Sequence, residues 1–242
     1  MITYLRPCTW AVRAFRIATM RHRTFRGKLS YRHDTKGETG REWFTVTVQP
    51  DGTRTHRARC EMDDDAVLRD VTNTMDGKWF PKDSYVRLSV GGVDEGSAWF
   101  LIDGNQATCE SWTKGAGRLR QDMTFDEPVH IFGGHPVSGD AMKPAHFKPG
   151  GPEKQSFLMV STSPLPNGAS GPIMAARHGV FEFIGEEDVT VDAGTFPCRR
   201  FRWHFEEFPP IELWNSGPDL IPVKVRWDLL NSDYDLVEFS AD

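Results

Sequence analysis

Residues 129–147, VHIFGGHPVSGDAMKPAHF, separate two long stretches of β-type sequence. This crossing segment contains three of the eight histidines, a pair of glycines and two prolines. Glycine and proline at this density interrupt a strand, so the segment is predicted to cross from one half of the fold to the other. Loops held by a rigid scaffold often carry functional groups. We therefore expect the crossing segment to carry the site.

Apolar and polar residues alternate on both sides of the crossing segment, over residues 25–125 and 156–240. Turn residues recur about every 8–12 positions, and Pro50-Asp51-Gly52 between two alternating runs is typical of a hairpin. A helical period is nearly absent. The pattern predicts an all-β fold, an antiparallel lipocalin-like barrel or sandwich, in which residues 25–242 form one domain.

This domain has features of two duplicated half-barrels, residues 25–128 and 148–242. Asp51-Gly52-Thr53 precedes a strand in the first half, and the similar residues 192–195 precede one in the second half. Two copies of one half-barrel would produce this spacing. Chance similarity between β-hairpins is the alternative, and the sequence leaves it open.

Residues 1–24 are predicted to form a basic N-terminal arm with a short helix, because apolar residues follow Pro7 at helical spacing. Residues 1–33 carry eight basic and no acidic side chains, although the whole chain has a net charge of −5. We expect the arm to dock on the acidic body of its own subunit or of a neighbour, which allows a homodimer. Basic and aromatic residues do not interleave further along the chain, so no nucleic-acid partner is expected.

The four cysteines are far apart and form no CxxC pair, which favours reduced, buried thiols and a cytoplasmic location. Arginines interrupt the apolar residues near the N-terminus, so no signal peptide is expected. No apolar run approaches the roughly 20 residues that a membrane span requires. The eight Trp and sixteen Phe either fill a core or line a pocket for a small hydrophobic or aromatic molecule.

Turn and edge-strand residues form a recognisable pattern in the last third of the chain. The pattern comprises EDVTVDAGTF at residues 187–196, Leu213-Trp214, and IPVK at residues 221–224. Over residues 178–240 the chain resembles the DUF3108-like family of bacterial β-barrel proteins. The resemblance implies a curved antiparallel sheet wrapped into a lipocalin-like barrel. It implies no reaction, because a fold does not determine a function.

His135 and Asp140 are the first candidates for catalysis. A His and an Asp five residues apart can meet across a turn, where a carboxylate fixes the imidazole tautomer for proton transfer. The alternative is that Asp140 caps a short helical turn and His135 is an ordinary loop residue. A metal site that adds His130 and His146 has suitable ligand types. Its spacing matches no zinc motif, so neither a metal nor a cofactor is expected.

Further candidates lie on predicted strands. Tyr85 and Arg87 share one face of a strand, and they would supply a proton donor and a group that stabilises an oxyanion. The predicted substrate-binding residues lie on other strands: Trp112, Gln121, Glu110 and Trp203. A glutamine in an otherwise apolar face suggests a polar group that points into a cavity. A solvent-facing or edge position explains these residues equally well.

The chain contains no nucleophilic serine motif, phosphate loop or dinucleotide fingerprint. The leading hypothesis is a cofactor-independent enzyme with lyase or isomerase chemistry on a hydrophobic aromatic molecule in the barrel. A deformylating lyase that acts on lignin-type aromatic alcohols is one concrete version, because its chemistry needs only a positioned acid and base. The alternative is a non-catalytic carrier of a hydrophobic ligand.

Overall fold

A computed structural model of the protein describes residues 21–163, 165–206 and 208–242. The predicted N-terminal helix lies outside these residues, as does Cys8. The other three cysteines are free and buried. The described part of the chain has no helix that is long and apolar enough to cross a membrane.

Fifteen strands account for most of the described residues. They are β1 Arg23–His33, β2 Gly37–Val48, β3 Arg54–Met62, β4 Val67–Met75, β5 Pro81–Val90, β6 Val93–Asp103, β7 Gln106–Thr113, β8 Gly117–Thr124, β9 Ile131–Gly133, β10 Lys154–Ser161, β11 Ala175–Val191, β12 Gly194–His204, β13 Ile211–Ser216, β14 Ile221–Trp227 and β15 Ser232–Ala241. A single short α-helix, α1 Val137–Asp140, lies in the crossing segment, and two 3-10 turns span Lys143–His146 and Asp228–Leu230. The predicted all-β class is confirmed.

All fifteen strands belong to one sheet. Strands β1 to β8 form one antiparallel meander, β10 to β15 form a second, and β1 pairs with β15 to join them. The exception to antiparallel pairing is the short β9, which runs parallel to β10. Strands β8 and β9 are the two edges, so the sheet curves without closing into the barrel that the sequence suggested.

The hairpin predicted at Pro50-Asp51-Gly52 is present as the pair β2–β3, whereas strand β13 was not predicted. Its residues Leu213 to Ser216 are all buried, so its sequence does not alternate. Strand β10 is likewise buried on both faces. Phe157 and Met159 join one hydrophobic cluster, while Leu158 and Val160 join another. Strand β10 is therefore covered on both faces, and the crossing segment that precedes it lies between the two meanders.

We expect limited proteolysis to leave the two meanders together. The β1–β15 pairing and the two shared clusters link the halves, so a cut at residues 148–153 would separate surfaces that are buried in the intact protein. The cleaved fragments should co-elute in gel filtration under native conditions. Recovery of two separately folded halves would contradict a single domain over residues 25–242.

Candidate functional site

The crossing segment enters the interior at its glycine pair. Gly134 has a φ of +103°, and a Cβ there would lie 2.6 Å from Thr162 Oγ1, so both conformation and space favour glycine. The chain then continues through His135 into α1, where Ser138 is completely buried. The predicted bend at the glycine pair is present, and it places α1 against the inner face of β2.

Glu42 on β2 binds the first residues of α1. This fully buried carboxylate accepts hydrogen bonds from Val137 N at 2.8 Å, Ser138 N at 3.0 Å and the Ser138 hydroxyl. Tyr31 Oη donates to it at 2.6 Å, and Cys60 Sγ lies 3.5 Å away. Burial raises the pKa of Glu42, and these hydrogen bonds oppose the rise. Glu42 thus holds the crossing segment to the sheet.

His56 lies on the far side of the same serine. Its Nε2 is 2.8 Å from Ser138 Oγ, and the ring is almost completely buried. Burial lowers the pKa of His56 to about 4, so the imidazole is neutral at neutral pH. The sequence analysis missed this network. The sequence nevertheless indicates these residues, because Glu42 and His56 are polar residues at inward positions of their strands. They alternate in phase with the buried Phe44 and Ala58.

An inner cavity with a volume of about 80 Å³ lies beside α1 and beneath the second meander. One part of its wall is aromatic and consists of Trp203, Phe205, Phe208, Trp227 and Tyr234. The other part carries polar and charged groups, among them His135, Asp140, Lys143 and Arg177. The outer edge includes Leu165, which is 54% exposed. The cavity combines an apolar surface with convergent ionisable groups, as small-molecule sites generally do.

Asp140 and Lys143 form an ion pair in the wall of this cavity, with side chains that are 13% and 3% exposed. Burial raises the pKa of Asp140 and lowers that of Lys143, and in each case the partner's charge opposes the shift. Lys143 Nζ also lies 3.9 Å from the centre of the Trp203 ring. The expected contact between Asp140 and His135 is wrong, since the carboxylate binds Lys143 instead.

His135 lines the inner cavity and also an outer groove of about 570 Å³, which Tyr234 shares. Burial lowers the pKa of His135 to about 3, and the positive charges of Arg69 and Lys143 add to the effect. The imidazole is therefore neutral at neutral pH and stands between the cavity and the groove. Its proposed catalytic role stays a prediction.

Four of the candidate residues lie on the outer face of the first meander. Tyr85 and Arg87 are exposed on β5 and hydrogen-bond to each other at 3.1 Å. Trp112 is 47% exposed, and Glu110 pairs with Arg120 at the surface. Their assignment to the cavity was wrong. The inward positions of these strands belong to the residues of opposite phase, such as Val86 and Cys109.

The remaining two substrate-binding candidates differ from each other. Trp203 is 5% exposed and lines the cavity. Gln121 lies on the edge strand β8 and bonds to the backbone of Met174, accepting from its N–H at 2.8 Å and donating to its oxygen at 3.0 Å. This side chain links the sheet edge to the loop before β11, so its contacts are structural.

The other histidines of the crossing segment form a separate group. The rings of His130 and His146 lie 5.3 Å apart between centroids and pack against Phe80 and Phe157. Burial lowers the pKa of both. Within the described residues, no group of three or more His, Cys, Asp or Glu side chains is placed to hold a metal ion.

No family model matches the chain, and no curated protein matches it. Among solved structures it is similar to a β-barrel-like protein of domain of unknown function DUF1849 from Brucella abortus, with 11% identity and a TM-score of 0.56 over 91% of this chain and 97% of that one. The chain has a β-barrel-like fold. A DUF1089 family protein from Pseudomonas aeruginosa aligns at 8% identity and a TM-score of 0.46, over 78% of this chain and 90% of that one. At these identities the likeness concerns the fold alone.

Proposed function

We propose that the protein is a cofactor-independent enzyme that transfers a proton on a small aromatic molecule bound in the inner cavity. The observation that carries this proposal is the buried Asp140–Lys143 pair, which faces an aromatic wall. Burial moves the pKa of each group towards neutral pH. Pairs of ionisable groups in such environments are typical of acid–base sites.

In this proposal the residues have separate roles. Lys143 and Asp140 exchange the proton with the substrate, in an isomerase or lyase reaction. His135 is neutral, so it donates a hydrogen bond to the oxyanion that develops when the proton leaves. Trp203 and Trp227 contact the aromatic ring. Tyr85 and Arg87 lie on the outer face and have no part in the reaction.

The volume of the cavity favours a small substrate. An engineered cavity of about 150 Å³ in another protein binds benzene, whereas the volume here is about 80 Å³. A single ring can enter when the outer edge at Leu165 and Phe208 moves. A diaryl alcohol of lignin type needs far more space, so a single-ring substrate fits the proposal better.

Hydrogen–deuterium exchange tests the proposal without knowledge of the natural substrate. The protein is incubated in D₂O with single-ring aromatic compounds that carry a C–H bond next to a carbonyl group, and deuterium uptake at that carbon is measured by mass spectrometry. We expect the wild-type protein to catalyse uptake. His135→Ala should lower the rate about 10²–10³-fold, because it removes a donor to the oxyanion. The control Tyr85→Phe on the outer face should leave the rate unchanged.

A carrier is the second candidate function, supported by the aromatic wall of the cavity. Binding of these compounds without deuterium uptake would support the carrier and exclude the enzyme.

Membership of the DUF3108-like family and a cytoplasmic location are also part of the proposal. They are supported by the turn pattern of residues 187–196 and by the three free cysteines.

A further inference from the structure

Two hydrogen-bond donors of the inner cavity have no acceptor among the residues that the structure describes. One is the Arg177 guanidinium, which forms neither a hydrogen bond nor an ion pair with those residues. The other is Nε1 of Trp203, which is buried without a partner in a side chain that is 5% exposed overall. A buried donor that lacks an acceptor is destabilising. Nε1 of Trp203 is such a donor, and Arg177, whose side chain is half-buried, adds a cation without an ion pair among the described residues to the same wall. A ligand with negatively charged oxygen atoms would supply an acceptor to both.

The two donors belong to neighbouring parts of the wall. Arg177 lies in phase with Gly179 and the fully buried Phe181, so it occupies an inward position of β11. A Cβ on Gly179 would lie 3.0 Å from Trp203 Nε1. The indole N–H is therefore next to β11 only two residues from Arg177, which corresponds to roughly 7 Å along a strand.

The charges around the cavity also favour an anion. The charge of Lys143 is balanced by Asp140, but that of Arg177 is not balanced by any described residue. Behind His135, the fully buried Arg69 donates only to neutral acceptors, which include Gly168 O at 2.9 Å. Burial lowers the pKa of Arg69 to about 10, so it remains protonated at neutral pH. Lys143 and Arg177 thus line the cavity and Arg69 lies behind it, whereas Asp140 is the single carboxylate among the described residues of the wall.

We propose that the inner cavity binds a single-ring aromatic carboxylate, with the carboxylate between Arg177 and Trp203 Nε1 and the ring against Phe205 and Trp227. This inference rests on the proposed function, because it names the ligand class of the same site. A carboxylate only accepts hydrogen bonds, and its planar shape matches a guanidinium.

A bound carboxylate also changes the state of His135. Its negative charge offsets the positive charges of Arg69 and Lys143, which lower the pKa of the imidazole in the empty cavity. The pKa of His135 therefore rises when the acid binds.

Two ligands of nearly the same shape, one an anion and one neutral, test this proposal. Phenylacetate and phenylacetamide are titrated separately into the full-length protein, and binding is followed by calorimetry. We expect phenylacetate to bind at least tenfold more tightly than its amide. Arg177→Met should remove this preference and leave the affinity for the amide unchanged. Arg57→Met, an exposed position on the outer face, is the matched control and should retain the preference.

Each result has a defined meaning. Equal affinities for acid and amide, or no binding of either, would overturn the carboxylate proposal. So would an equal loss of both affinities in a folded Arg177→Met variant. Preferential binding of the acid together with absent deuterium exchange would support the anion site and exclude the proposed enzyme. The two proposals can therefore fail separately.

Discussion

Replacing Glu42 with leucine is expected to lower the free energy of unfolding by about 3–5 kcal/mol, because each buried donor that loses its acceptor costs about 1–3 kcal/mol. The leucine fills the space but accepts no hydrogen bonds. It leaves Tyr31 Oη and the backbone N–H groups of Val137 and Ser138 buried without partners. Urea denaturation followed by tryptophan fluorescence measures the change.

Glu38 on the same strand provides the control. Its side chain is 45% exposed and pairs with Arg41 at the surface, where such pairs contribute about 0–1 kcal/mol. Glu38→Gln should therefore change the stability by less than 1 kcal/mol. If Glu42→Leu costs no more than this control, Glu42 does not hold the crossing segment to the sheet.

The Asp140–Lys143 pair is expected to show strong coupling between its two members. Asp140→Leu leaves Lys143 buried without its partner, and Lys143→Met does the same to Asp140, so each single substitution should lower the free energy of unfolding by about 3–5 kcal/mol. The double variant Asp140→Leu, Lys143→Met removes both charges and should lie much closer to the wild type. Replacement of a buried ion pair by apolar residues of similar size is often neutral.

A surface ion pair is the control for this double-mutant cycle. Lys36 and Asp64 approach to 2.6 Å, but their side chains are 56% and 47% exposed, so Asp64→Asn should cost at most about 1 kcal/mol. The same urea titrations measure all variants. Additive effects of the two single substitutions at positions 140 and 143 would contradict a coupled pair and weaken the proposed acid–base role.

The sequence alone determined the class of the fold and most of its strands, because alternation with period two directly reflects the two faces of a sheet. It located the crossing segment for a similar reason, since glycine and proline interrupt strands. The sequence also contains an indication of the site that the prediction did not use. Glu42, Arg69 and Arg177 are charged residues at inward positions of their strands, where apolar residues are expected.

Only the tertiary structure decided which of these residues meet. Glu42 contacts Val137 and Ser138, which are 95 and 96 residues away in the chain, and no local pattern specifies such a contact. A local pairing was also missed: the sequence analysis paired Asp140 with His135, whereas the carboxylate binds Lys143, which is only three residues away in the chain. Alternation establishes that a side chain points inward. The partner it finds there depends on how the sheet curves, and long-range packing sets that curvature.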